Sequence, residues 1–171
     1  VVYDRKHSAF SEYDFSKTDV KKMLEGYTWL HLSGITPALG TKCRDLILNC
    51  LKAAKEMNMT VSFDGNFRST LWSWEEARDF CTLCLPYVDV LFGIEPYHIW
   101  KNEEDHSAGD VKDGIPFQPD FEQQEKVFRA FADRYPNIKC IARHVRFAHS
   151  CSENSLMAYL WLNGKTYESK R

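Results

Sequence analysis

With 171 residues, 44% of them hydrophobic, the chain is long enough for one domain with a sizeable core and too apolar to be disordered. Its 22 basic and 24 acidic residues leave a net charge of −2, which gives no electrostatic reason to expect a nucleic-acid surface. No apolar run approaches the roughly 20 residues a membrane-spanning helix needs. The opening VVYDRKHSAF also lacks the basic region and long apolar stretch of a signal peptide, and without an initiator Met it suggests a processed chain or an excised piece.

The chain opens inside a strand-like run in which Tyr3 and Arg5 share one face and Asp4 takes the other. TWLHLS (28–33) reads as a buried strand, with His31 a satisfied buried histidine between two leucines. Residues 41–57 place Leu46, Ile47, Cys50, Leu51 and Ala54 at helical spacing behind Thr41, a candidate N-cap. MTVSFD (59–64) reads as a second strand. It runs into SFDGNFRSTLW, where Asp64, Asn66 and Arg68 alternate and would share one face if the segment stays extended. Residues 73–86 form a helix opened by a Ser73/Glu76 capping box and ended by Pro86. VDVLFG (88–93) is a third strand, and 101–119, rich in Asp, Glu, Gly and Lys, is a surface loop. A helix over 121–136 is closed by Pro136 and followed by a strand at 138–143. The tail SLMAYLWLNGKTYES (155–169) holds two strand-like runs joined by Asn163-Gly164, the sequence of a type I′ hairpin.

Strand and helix in this rhythm imply βαβ units and a mostly parallel sheet. Such a sheet needs both faces covered, and neither end of the chain supplies that cover. The sequence therefore reads as the middle of a longer protein, or as a chain that relies on another. The six cysteines (Cys43, Cys50, Cys81, Cys84, Cys140 and Cys151) are irregularly spaced, which argues against a disulfide scaffold. Cys81-Thr-Leu-Cys84 lies in a helix-like segment with no second ligand pair, so it reads as two packed thiols and not as a zinc site. Reduced cysteines point to the cytoplasm, where the sequon at Asn58 would carry no glycan. Trp72, Trp74 and Trp100 read as packing groups, since no basic groove accompanies them.

In open parallel sheets ligands sit beyond the carboxyl ends of the strands. Those ends carry Ser33-Gly34-Ile35-Thr36, then Asp64-Gly65-Asn66-Phe67-Arg68, then Ile94-Glu95, then Arg143, His144 and Arg146. Three arginines and a histidine converging on one rim, tempered by Asp64 and Glu95, would suit a carboxylate or phosphate; the alternative is that some of the arginines pair with nearby acids. Tyr3 with Arg5 would suit the carboxylate and hydroxyls of a sugar acid, or form a cross-strand pair on an exposed edge.

YDRKHSAF (3–10), LHLSGITPAL (30–39), VSFDGNFRSTLW (61–72) and PYVDVLFGIE (86–95), in this order, resemble the ribokinase-like (PfkB) carbohydrate kinases, and within them the 2-keto-3-deoxygluconate kinase branch. The resemblance implies a three-layer α/β/α core with a mostly parallel sheet, here incomplete and followed by a C-terminal β-hairpin. Residues 1–15 would then be the remnant of lid strands that bind substrate, and 101–119 a surface insertion. It implies transfer of the ATP γ-phosphoryl to a sugar acid with Mg²⁺, and homodimers made through the lid. Matched position by position, Tyr3 and Arg5 would hold the keto-acid, Ile35 would line the pocket, and Asn66 and Arg68 with Asp64 would fall in the Asp-x-Asn-x-Arg motif. Glu95, and Arg143 from the strand ends beyond the matched stretches, would face the nucleotide.

Two departures stand out. Ile94-Glu95-Pro96-Tyr97 replaces the family's Asn-x-x-Glu, so that only Glu95, at an in-between position, could supply a carboxylate. The Gly-Ala-Gly-Asp motif that carries the catalytic base is missing, and Ser107-Ala108-Gly109-Asp110 is a decoy in a polar loop. The chain alone is therefore expected to be inactive. A non-catalytic sugar-acid binding protein on the same scaffold is the alternative, and a hydrolase using Asp64 ranks below both.

Overall fold

The computed structural model describes Arg5 and residues 7–97, 120–150 and 152–170. Tyr3 and the 101–119 segment, including Ser107–Asp110, lie outside the described residues. Three short helical turns open the described chain, α1 (Ala9–Glu12), a 3-10 turn (Phe15–Lys17) and α2 (Val20–Met23). Where the sequence suggested lid strands through residue 15, the described part is thus helical, with Ser8 capping α1. Then follow β1 (Trp29–Ser33), α3 (Thr41–Glu56), β2 (Thr60–Asp64), α4 (Trp74–Cys84), β3 (Val90–Phe92), α5 (Phe121–Arg134), β4 (Cys140–Ala148), β5 (Asn154–Leu162) and β6 (Lys165–Glu168).

Among the described residues the strands form one six-stranded sheet in the order β1-β2-β3-β4-β5-β6. The first four strands pair in parallel and the last two run antiparallel. Local chemistry explains most boundaries. Ser73 and Glu76 make both bonds of the capping box at the start of α4. Pro86 sits in a 3-10 turn just past the end of that helix, at Leu85–Tyr87. At the hairpin, Asn163 (φ 51°) and Gly164 (φ 80°) both occupy the left-handed region that a type I′ turn requires. Two expectations shift. The N-cap of α3 is Gly40, with Thr41 the first helical residue. And β4 does not stop at 143 but runs to Ala148, because β5 folds back and pairs along its whole length from Cys140↔Leu162 to Ala148↔Asn154.

The core lies on one side of the sheet. Val61, Phe63, Leu91, Ile141, Tyr159 and Trp161 meet Ile47, Leu51 and Ala54 of α3, Phe80, Cys81 and Cys84 of α4, and Val127, Phe128 and Phe131 of α5. The largest of these are fully buried, each contributing about 2 kcal/mol by removal of apolar surface from water.

The opposite side of the sheet carries two registered rows. One runs His31, Ser62, Val90, Cys140, Leu162 and the other Ser33, Asp64, Phe92, Ala142, Leu160. Trp29 extends this face and is 54% exposed, while Phe92 is 39% and Leu162 38% exposed. Of the three layers expected, the described residues build two. His31 is accordingly not buried: the alternation of β1, the outermost strand among the described residues, turns it to this open side. There Nδ1 lies 2.8 Å from the Ser62 hydroxyl, which also accepts the Trp29 indole N–H at 2.9 Å.

Candidate functional site

The carboxyl ends of β1, β2 and β3 are drawn together by backbone contact. The Gly34 amide donates to the Asp64 carbonyl at 2.8 Å. A Cβ on Gly34 would stand 2.0 Å from the Gly65 carbonyl oxygen, and one on Gly65 would stand 2.5 Å from that of Glu95. Only glycine allows three strand-end loops to approach this closely.

Beyond β2 the chain does not stay extended. The Asp64 carboxylate accepts the Asn66 amide at 3.0 Å, and Asn66 takes φ 41°, a left-handed value that asparagine tolerates. The alternation expected of Asp64, Asn66 and Arg68 therefore ends at Asp64. Asn66 instead turns back and donates its side-chain amide to the Ser33 hydroxyl at 3.1 Å. Ser33 in turn accepts the Ile35 amide at 3.4 Å. Ile35 and Asn66 thus share one small cluster with Ser33 and Asp64, each half-buried. Arg68 stands exposed at its edge, with Nη1 donating to the Phe67 carbonyl at 2.8 Å. Arg5 is half-buried near the start of the described chain, its expected companion Tyr3 lying outside it.

Glu95 and Arg143 meet each other. Arg143 projects to the helical side of β4, is 9% exposed, and donates to Glu95 at 2.8 Å and to the Gln124 side-chain oxygen at 2.7 Å. Burial draws its pKa down and the Glu95 charge opposes that, yet a guanidinium keeps its proton at any ordinary pH. The four strand ends do not send three arginines and a histidine to one rim. His144 and Arg146 lie within β4, exposed on the open side of the sheet, and Arg146 donates to Asn154 at 2.8 Å. Beneath Gly65 the Tyr97 ring is buried and packs edge-on against Phe131 with centroids 5.8 Å apart, and burial holds its phenol well above the usual value.

The sequence did not single out Gln124 or the role of the Ser33 hydroxyl. Gln124 carried a signal, an uncharged polar residue on the apolar face of α5 between Phe121 and Val127–Phe128. Among the described residues no group of three or more His, Cys, Asp or Glu side chains is placed to hold a metal ion, which includes Cys81 and Cys84.

This parallel sheet, with its glycine-tightened strand ends, matches the fold of PfkB carbohydrate kinases. A 2-dehydro-3-deoxygluconokinase from Thermotoga maritima is 34% identical with a TM-score of 0.79, and a PfkB family carbohydrate kinase from Listeria grayi is 31% identical with a TM-score of 0.77. Each solved structure matches 99% of this chain, which covers 48% of theirs. In sequence the chain is 39% identical over 95 residues to a 2-dehydro-3-deoxygalactonokinase from Haloferax volcanii, a stretch of 56% of this chain and 30% of that protein. No family model matches. The resemblance to PfkB kinases thus holds in both sequence and fold, and the chain spans about half the length of the solved relatives and less of the curated one.

Proposed function

We propose that this chain is the sugar-binding part of an ATP-dependent kinase for a 2-keto-3-deoxy sugar acid. The observation that carries the reading is the Ser33–Asp64–Asn66 cluster at the carboxyl ends of β1 and β2, with Arg68 exposed beside it. It stands where an open parallel sheet takes its ligand. In this reading Asn66 and Ile35 shape the pocket, Arg68 offers its guanidinium to the anionic substrate near its reacting end, and Arg5 with Tyr3 holds the keto-acid. Gluco- and galacto-configured acids are both candidates, given the two relatives' names.

ATP would be the phosphoryl donor, with Mg²⁺ as its counter-ion. The described residues do not fit a metal centre: no carboxylate cluster is assembled, and Glu95 accepts a bond from Arg143. Phosphoryl transfer depends on positioning and on a base for the attacking hydroxyl, and in this reading the base comes from the Gly-Ala-Gly-Asp motif that this chain's sequence lacks. The chain by itself is expected to bind sugar acid weakly and to turn over no ATP.

The experiment is calorimetric titration of 2-keto-3-deoxygluconate and 2-keto-3-deoxygalactonate into the chain, with gluconate and ribose as controls. Selective binding of one keto-acid, lost in Arg68→Ala, supports the reading. Equal heats in wild type and Arg68→Ala would refute the placement of Arg68. A non-catalytic sugar-acid binding protein is the second reading. It is favoured by Ile94, 4% exposed in the core, where the family's metal-ordering motif carries an asparagine. Keto-acid-dependent ATP turnover by a longer form that contains this chain would eliminate it.

A further inference from the structure

We infer that Arg143 is a positioning residue that sets the spacing of the strand-end rim and touches no ligand itself. The inference rests on the sugar-acid reading only for what the rim binds. Arg143 comes from β4, Glu95 from the loop after β3, and Gln124 from α5, and the guanidinium joins all three at 2.7 and 2.8 Å. Gln124 is 0% exposed and Arg143 9%, so neither the cation nor its amide partner is a surface group open to solvent.

A charge buried this deeply is costly unless its partners are fixed, and breaking such a cluster from one side leaves the others uncompensated. The clamp therefore ties the Glu95 loop to the rigid sheet and helix. That loop is also the wall on which Gly65 rests: a Cβ there would meet the Glu95 carbonyl at 2.5 Å, the Tyr97 hydroxyl at 2.8 Å and the Pro96 ring at 3.0 Å. Gly65 in turn abuts Gly34, whose amide bonds the Asp64 carbonyl at 2.8 Å, and Asn66 completes the chain to Ser33 at 3.1 Å. A continuous line of contacts thus runs from Gln124 through Arg143, Glu95 and Gly65 to the Asn66 turn. Contacts without slack transmit a displacement at one end to the other. A phosphate-binding arginine would need a free, solvent-facing fork, whereas this one points to the helical side with its donors directed at Gln124 and Glu95.

The test is amide hydrogen exchange on the chain, followed residue by residue by NMR, for wild type, Arg143→Met, Arg143→Lys and Glu95→Gln. In Arg143→Met the amides of Gly34, Asn66 and Ile94 should exchange at least tenfold faster while Phe63 and Leu91 in the strand interiors keep their protection. Arg143→Lys should recover part of that protection, since an ammonium can reach one of the two acceptors. Glu95→Gln cuts the ion pair without touching a fully buried group, and should accelerate the same three amides if Arg143→Met does not fold. Acceleration confined to β4 and α5, or spread evenly over strand interiors and rim, overturns the inference. Keto-acid affinity adds a separate arm. Where wild type binds, Arg143→Met should weaken binding about tenfold and Arg143→Lys about threefold. If wild type does not bind, the sugar-acid reading fails and the exchange result still decides the role of Arg143.

Discussion

Gly34 and Asp89 show how single side chains, or their absence, hold the strand ends and the strand starts. Adding a methyl at Gly34 drives it to 2.0 Å from the Gly65 carbonyl oxygen and 2.8 Å from its carbon, both backbone atoms that cannot rotate away. Gly34→Ala should therefore cost about 3 kcal/mol, at the upper end for an overpacked site. A fall in the urea midpoint with an unchanged slope would register it, and a midpoint within error of wild type would show that the loops can part. Asp89 works at the other end of the sheet. Asp89 is 5% exposed, and its carboxylate accepts the buried Val61 amide at 3.0 Å and receives Lys139 at 2.8 Å. Asp89→Ala orphans that amide and should cost about 2 kcal/mol. Asp89→Asn retains an acceptor and should recover most of the loss, an outcome measurable by the same denaturation.

At the scale of an element, α4 carries its chemistry on the buried face. Burial raises the Cys81 thiol to about 12, with the Asp64 charge adding to the effect, and burial raises Cys84 as well. In the unfolded chain a thiol gives up its proton near its ordinary value of 9.0, while the folded chain keeps it. Between those limits the unfolded state binds fewer protons, so stability falls as pH rises, by about 1.4 kcal/mol per pH unit per thiol. Urea unfolding at pH 8 and pH 10 should reveal the decline, and Cys81→Ala should lessen it by about 1.4 kcal/mol at pH 10. An equal decline in the variant would mean that Cys81 ionises in the native state.

The elements themselves were largely legible in the sequence. The helix faces, the Ser73–Glu76 box and the Asn163-Gly164 turn depend on spacing within a few residues, and spacing is what a sequence displays. The site was less so. Ser33 meets Asn66 across 33 positions and Arg143 meets Glu95 across 48, contacts that only sheet order creates. Nor could an apolar run announce that the described helices cover one side of β1 alone, which leaves His31 exposed, or that β5 would extend β4 past Arg143.

For the molecule as a whole, the asymmetry of the sheet matters most. Helices α3, α4 and α5 bury one side, while the other exposes Trp29, Phe92 and Leu162, with Leu160 in the same registered row as Phe92. Parallel strands are ordinarily covered on both faces, and apolar side chains left exposed on one of them can take up an apolar solute. The chain should accordingly bind an environment-sensitive apolar dye while fully native, with far more enhancement than a closed α/β domain of its size. Phe92→Glu and Leu162→Glu place charges on that side and not in the core, since both residues are more than a third exposed. They should cut the dye signal several-fold while leaving the cooperative unfolding transition in place. Trp29 supplies an internal control: exposed and bonded to Ser62, it should emit at long wavelength and shift to the blue as dye binds. Dye enhancement that persists in both variants, with Trp29 emission unmoved, would place the apolar surface elsewhere and require that this side of the sheet be covered in solution.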